Sequence, residues 1–235
     1  MKKLIGVLLL LSAGLAQAAD KPAPAPVVHT IVLVRHGHYV ADPAADPARG
    51  PGLSPLGVAQ VHLTGARLAR GPLAFDALYV SPMQRARDTA AVIGEDFPGR
   101  PFTVVDDLEE CTPPTRRADI MAKETPEDLA ACQAQLDRIF ATYFRAAQGK
   151  SQTDLFVCHG NVIRYLITRA LGVDSQAWLE MSVGHASITT IRIKADGSMQ
   201  VIAAGDVGHL PPNMLTGTSA DMDRSLAVPP LTLSQ

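Results

Sequence analysis

Cysteine is scarce in this 235-residue chain, which carries only Cys111, Cys132 and Cys158. An odd set of three is no disulfide framework of the kind that staples small secreted domains. Cys158, at the end of an apolar run, reads as a buried free thiol; a bridge between Cys111 and Cys132 is open to an exported chain, but the odd set favours leaving them unpaired. A charge excess is also missing. Twenty-one basic residues face 23 acidic ones, a net charge of −2, so the basic footprint of a nucleic-acid binder is absent. The apolar run Leu4–Leu11 falls far short of the roughly 20 residues that a membrane span requires. With 47% hydrophobic and 19% charged residues, wholesale disorder is excluded. The length is enough for one or two domains with a sizeable core.

Lys2 and Lys3 precede that short apolar run, and Ala16-Gln17-Ala18 follows it. This pattern predicts a secretory signal over residues 1–18, and so an exported protein, periplasmic or secreted, with no stable span after cleavage. Residues 19–27, rich in Ala and Pro, read as a linker. A single domain is expected over 28–217, with a poorly ordered tail over 218–235.

Strand and helix patterns alternate through that domain. Val28–Val34 is apolar on both faces, as a central strand should be. Ser54-Pro55 opens a helix to about Arg70, with Ser as cap and Pro at the first helical position. Ala77–Val80 reads as a strand, and Ser81-Pro82 as the cap of a helix to Ile93. Phe102–Val105 reads as the third strand. Thr125-Pro126, with Asp128 in the capping-box place, opens a helix to about Ala147. Asp154–Cys158 is the fourth strand, and Val162–Leu171 the helix that Gly172 stops. Ser187–Ile193 and Met199–Ala204 form a hairpin. The expected fold is therefore α/β, a three-layer α/β/α sandwich whose mostly parallel sheet ends in a hairpin strand.

In such sheets ligands bind beyond the carboxyl ends of the strands. Arg35-His36 and His159 sit at two such ends, and Ser81 and Glu110 follow two others. Together they suit a phosphoryl group. His36 can attack phosphorus as a neutral imidazole. Arg35 and Arg85 can clamp the phosphoryl oxygens with planar, permanently charged forks, and Arg85 falls in the first turn of a helix. His159, if protonated, adds a donor, and the helix start at Gly160-Asn161 adds N–H groups. Gly37 removes a side chain where phosphate must approach the backbone. Glu109 or Glu110 can protonate the leaving alkoxide: surrounding cations lower a carboxyl pKa and burial raises it.

Blander roles fit other residues. His62, His185 and His209 read as structural, and His29 as a strand-edge residue. A metal site built on His36, His38 and His159 is the rival chemistry, but no carboxylate cluster or His-x-x-x-His pair completes it.

These residues resemble the histidine phosphatase superfamily, also called the phosphoglycerate mutase-like family. "IVLVRHGHYV" resembles its nucleophile motif, "LSPLGVAQVHLTGARLA" the segment that follows, and "LYVSPMQRARDTA" the second-arginine motif. "DDLEE" resembles the acid-bearing strand exit, and "VCHGNVIRYLI" the second-histidine motif. The resemblance implies His36 as nucleophile, Glu110 as proton donor, and Arg35, Arg85 and His159 as phosphate ligands, with no metal cofactor. "HGNVIRYLITRALG", "SITTIRI" and "GDVGHLPPNMLTG" are most similar to the family's mitochondrial serine/threonine protein phosphatases. Cys-Thr-Pro-Pro-Thr follows Glu110 where many relatives carry glycine.

The activity implied is metal-independent phosphomonoester hydrolysis through a phosphohistidine, on a small ester or a phosphoprotein, with homo-oligomerisation compatible with it. A mutase moving phosphate within a sugar acid, or a phosphate-recognising module without turnover, would use the same pocket. Only fourteen residues, Cys111–Glu124, separate the acid from the next helix. So short a segment favours an open mouth and hydrolysis.

Overall fold

The computed structural model describes residues 26–217. The signal-peptide reading and the whole of the expected tail lie outside them. Six strands form one sheet in the order β3-β2-β4-β1-β5-β6. Strands β1 (Val28–Arg35), β2 (Ala77–Val80), β3 (Thr103–Val104) and β4 (Gln152–Cys158) run parallel; β5 (Ile188–Lys194) and β6 (Met199–Asp206) form the antiparallel hairpin. The α/β expectation thus matches the structure.

Alternation along β1 shows why helices cover both faces. Ile31 and Leu33 pack with Phe156, Cys158 and helices α4 (Pro126–Tyr143) and α5 (Gly160–Leu171). Val32 and Val34 pack with Leu155, Val157 and helices α1 (Pro55–Arg70) and α2 (Gln84–Gly94). All four β1 side chains are essentially inaccessible to water. Burying each contributes about 1.5–3 kcal/mol, so this strand cannot leave the sheet centre cheaply. The short helix α3 (Ala118–Met121) lies between the acid-bearing loop and α4.

Element ends carry most of the expected chemistry. Ser54 accepts the Gly57 amide and Thr125 that of Asp128, the two caps read from sequence. Gly172 stops α5 in the left-handed region at φ 66°. Two elements differ. β3 is two exposed residues at the sheet edge, paired only with β2. α4 ends at Tyr143 rather than near Ala147, because Phe144 leaves helical geometry to bury its ring against Phe140.

His29 is not at an edge. It lies on the central strand, with Nδ1 2.7 Å from the Arg145 carbonyl and Nε2 3.0 Å from Asp154 Oδ2. Burial lowers its pKa, but the Asp154 carboxylate and the Arg145 carbonyl outweigh burial, and the net shift is upward. A raised folded-state pKa means this contribution is complete below the ordinary value of about 6.5 and is lost as pH rises through the folded pKa. Urea denaturation of wild type and His29→Gln should therefore differ most at pH 6 and below, by about 1–3 kcal/mol. The gap should narrow on going to pH 9, and a gap independent of pH would contradict this account.

Candidate active site

β1 and β4 pair with Arg35 opposite Cys158. The next residues, His36 and His159, therefore leave the sheet side by side. The His36 amide donates to the Cys158 carbonyl at 3.0 Å, and the two imidazole centroids lie 5.1 Å apart. Two residues 123 positions apart are brought together by strand register alone.

The partners of His36 define its tautomer. Nδ1 lies 2.8 Å from the Gly37 carbonyl, so it carries the hydrogen and donates. Nε2 then keeps its lone pair, towards which Arg85 Nε donates at 3.2 Å. Burial, reinforced by the Arg35 and Arg85 guanidiniums, holds the His36 pKa well below the usual range. The ring is therefore neutral, with a lone pair on Nε2, as nucleophilic attack requires. Tyr39 packs edge-on against the same ring, and Arg85 lies over Tyr39 at 5.0 Å.

His159 differs from the sequence expectation. Burial and the nearby Arg85 and Arg35 charges hold its pKa far down, so the ring is not protonated. It remains a donor because of Ser81. That hydroxyl lies 2.7 Å from Nε2 and accepts the Met83 amide at 3.3 Å, which turns its proton towards the imidazole. The hydrogen then resides on Nδ1, which is buried and has no partner. Ser81 is therefore not the cap of α2, which begins at Gln84 after an uncapped Met83. Ser81→Ala should lower kcat/KM for a phosphomonoester by about 10–100-fold by freeing the tautomer. Steady-state kinetics on a variant with an unchanged melting temperature would check this, and a loss under threefold would contradict it.

Arg35 is held by three acceptors. Its Nη1 donates to the carbonyls of Val183 (2.6 Å) and Gly217 (3.0 Å), and Nη2 to His185 Nε2 (3.1 Å). Nε is buried without a partner. Burial lowers its pKa to about 10, which still leaves it charged near neutrality.

Glu110, not the exposed Glu109, turns inward. Burial raises its pKa against the opposing pull of Arg35, Arg85 and Arg164. Its Oε1 is buried without a protein partner, like Arg35 Nε, His159 Nδ1 and Arg164 Nε. Unpaired polar atoms of this kind are rare in folded proteins. Glu110 interacts with Arg35, Arg85 and Arg164, and His159 with Arg35 and Arg85, so these unpartnered groups combine cationic donors with an acid, the chemistry that suits a tetrahedral anion.

Three expectations are corrected. A Cβ on Gly37 would meet the Gly57 carbonyl oxygen at 2.7 Å and Val61 Cγ2 at 2.8 Å, while the Gly37 amide is used by Thr89. Gly37 is thus required by the packing of α1, not by phosphate. Asn161 directs its side-chain amide to the Cys111 carbonyl at 3.1 Å, so that side chain secures the acid loop. Cys111 and Cys132 are joined in a disulfide, because the chain after Glu110 packs across α4 and brings the two Cα atoms to 5.7 Å. Cys158 is a buried free thiol, as expected.

Sequence reasoning missed Arg164 and read His185 as merely structural. Arg164 had a signal: it is a charge inside the apolar run Val162–Ile167 of a buried helix. His185 had none. Its ring centre lies 5.3 Å from that of His36, and Nδ1 meets Thr216 Oγ1 at 3.0 Å. Burial and the Arg35 charge push its pKa down to about 2. The rival metal reading finds no support in the donor set: among the described residues no group of three or more His, Cys, Asp or Glu could hold an ion. Among them, too, no helix is long and apolar enough to cross a membrane.

Comparison with known proteins gives the family of the chain. The model of the histidine phosphatase superfamily (branch 1) matches residues 31–115 and 113–203. The serine/threonine-protein phosphatase PGAM5, mitochondrial, of Rattus norvegicus is 34% identical over 194 residues, covering 79% of this chain and 65% of its own. Its Caenorhabditis elegans counterpart is 34% identical over 209 residues, covering 83% of this chain and 68% of its own. The chain thus spans about two thirds of the length of these relatives. The structure of a Plasmodium falciparum phosphoglycerate mutase superposes with a TM-score of 0.56 at 27% identity, covering 79% of this chain and 95% of the other.

The expected periplasmic or secreted location is overturned, because these curated relatives are designated mitochondrial. The export reading rested on residues 1–18 alone, a compositional signal with no packing behind it. From the matched model, the shared sequence and the common fold, the chain belongs to the histidine phosphatase superfamily.

Proposed function

We propose that this protein hydrolyses phosphomonoesters without a metal ion, through a phosphohistidine on His36. The observation that carries the reading is the facing pair of His36 and His159, enclosed by Arg35 and Arg85 and joined by a buried carboxyl. Two guanidiniums beside the imidazoles repel a cation and attract a phosphoryl dianion.

In the first step His36 Nε2 bonds to phosphorus and the ester P–O bond breaks. The Glu110 carboxyl gives its proton to the departing alkoxide. In the second step water attacks the phosphohistidine, the P–N bond breaks, and the Glu110 carboxylate takes a proton from the water. Phosphate leaves, and Glu110 is again protonated. Arg35 Nε, Arg85 and His159 Nδ1–H hold the equatorial oxygens, where charge concentrates in a loose transition state. The catalytic domain proposed spans residues 28–217.

Phosphoserine and phosphothreonine side chains are the proposed substrate class. The designations of the mitochondrial relatives support this, as does the short stretch between acid and α4, which holds only the four-residue α3. The test is turnover of p-nitrophenyl phosphate and a phosphoserine peptide in excess EDTA, with inhibition by vanadate. Activity abolished by EDTA and restored by a divalent ion would overturn the metal-independent reading. Isomerisation of phosphoglycerate exceeding phosphate release would favour a mutase.

A further inference from the structure

The acid loop carries a covalent tether that the proposed reaction does not itself require. Glu110 lies between two anchors. Leu108, fully buried in the α4–α5 core, holds the chain two residues before it. The Cys111–Cys132 disulfide holds it one residue after. Cys132 cannot move easily, since it sits on the buried face of α4 with Leu129, Leu136 and Ile139. Beyond Cys111 the next fixed points are the Pro113 and Pro114 carbonyls, which accept Trp178 Nε1 at 3.3 and 3.0 Å. From Glu109 to Arg117 the chain has neither helix nor strand. Two polar holds flank the acid besides the disulfide: Gln135 Nε2 of α4 donates to the Glu109 carbonyl at 2.9 Å, and Asn161 donates to the Cys111 carbonyl at 3.1 Å, so on the C-terminal side the disulfide is the covalent one.

From this arrangement we infer that the Cys111–Cys132 disulfide is a positioning element for Glu110, and that its reduction withdraws the acid from the leaving group. The inference rests on the proposed hydrolase reading. A dithiol supplies the chemistry. One of its thiolates attacks a sulfur of the pair, the second closes on the mixed disulfide, and two electrons and two protons pass to Cys111 and Cys132. Cys111 is half-buried whereas Cys132 is 3% exposed, so the Cys111 end is the more accessible of the two. Two thiols cannot remain at bonding distance, so the sulfurs part by more than about 1 Å. Cys132 is held by its helix and the core, so Cys111 makes the movement and Glu110 is carried with it. Displacement of a catalytic group by about 1 Å can cost roughly 100-fold in rate.

A misplaced acid has a signature that general loosening lacks. Nitrophenolate departs without a proton, whereas an alkyl oxygen needs one. The value of kcat/KM reports the steps up to departure of the alcohol, before water enters. It should be measured for p-nitrophenyl phosphate and for a phosphoserine peptide with three preparations: oxidised wild type, wild type reduced by dithiothreitol, and Cys111→Ala/Cys132→Ala. The number of free thiols is counted by mass after alkylation, and folding is followed by circular dichroism.

The expected result is a fall of about tenfold or more for the peptide in both disulfide-free forms, with p-nitrophenyl phosphate within about twofold, and recovery on reoxidation. Equal falls for both esters, or no fall for either, would overturn the positioning role while leaving the hydrolase reading intact. Loss of circular dichroism signal in the double variant together with equal falls in reduced wild type would also overturn it. No turnover of either ester by oxidised wild type would remove the hydrolase reading and this inference with it.

Discussion

Replacing His36 with alanine is expected to reduce kcat/KM for p-nitrophenyl phosphate by at least about four orders of magnitude. The size of the loss follows from how the pocket is wired. His159 cannot take over, because its Nε2 is engaged by Ser81 and its Nδ1 carries hydrogen. Cys158 cannot either, because burial pushes its thiol far above the usual range and it faces the core. Direct attack by water would have to accomplish in one step what the covalent route divides in two. Anion binding should survive: Arg35, Arg85 and His159 remain, and the variant should still bind vanadate or phosphate with an affinity within about tenfold of wild type. Loss of turnover together with loss of anion binding would point to a collapsed pocket. A variant retaining more than a tenth of wild-type turnover would refute the nucleophile assignment.

Glu110→Gln is expected to lower kcat/KM for a phosphoserine peptide by about 100–10,000-fold, because the amide is similar in shape but cannot supply a proton. Its pH dependence is the more telling measurement. Burial raises the Glu110 pKa, so the protonated, competent form persists to higher pH than an ordinary glutamic acid would allow. Wild-type kcat/KM should fall as pH rises through that raised value, since the carboxylate cannot protonate the alkoxide. On the acid side, activity should fall only when His36 takes a proton, and its depressed pKa places that limb well below 6.5. The two limbs thus leave a window in which the acid is protonated and the nucleophile is neutral. In Glu110→Gln the alkaline limb should vanish and the acid limb stay. An unchanged alkaline limb in the variant would assign it to another group.

The motifs that located the pocket are local, and so was their reading. Arg35-His36 and His159 each follow an apolar strand, and a parallel sheet places strand exits along one edge. Adjacency of β1 and β4 did the rest. The family resemblance implies Glu110 as the acid, and burial with the opposing charges of Arg35, Arg85 and Arg164 acts on Glu110, while Glu109 is exposed. Where local reasoning failed, the deciding partner was distant in the chain. Ser81 looked like a cap because Ser-Pro often begins a helix, but its hydroxyl is claimed by an imidazole 78 residues away. Gly37 looked like a phosphate contact, but its missing Cβ makes room for Gly57 and Val61 of α1. His29 looked peripheral until Asp154 and Arg145 were brought beside it. The disulfide could not be inferred from an odd number of cysteines, because pairing depends on where the loop after Glu110 crosses α4.

By itself, the sequence determined the order of strands and helices, the capping of α1 and α4, and the candidates, Arg35, His36, Arg85, Glu110 and His159, whose chemistry suits a phosphoryl group. These depend on periodicity, on side-chain oxygens next to helix starts and on residue chemistry, all of which act within a few positions. Only the tertiary structure decided the protonation and orientation of those groups: a neutral His159 turned by Ser81, an Arg35 held by Val183, His185 and Gly217, and a Glu110 tied down by Asn161 and Cys111. Burial and hydrogen-bond partners set these properties, and both come from segments more than twenty residues apart that meet only when the sheet is assembled.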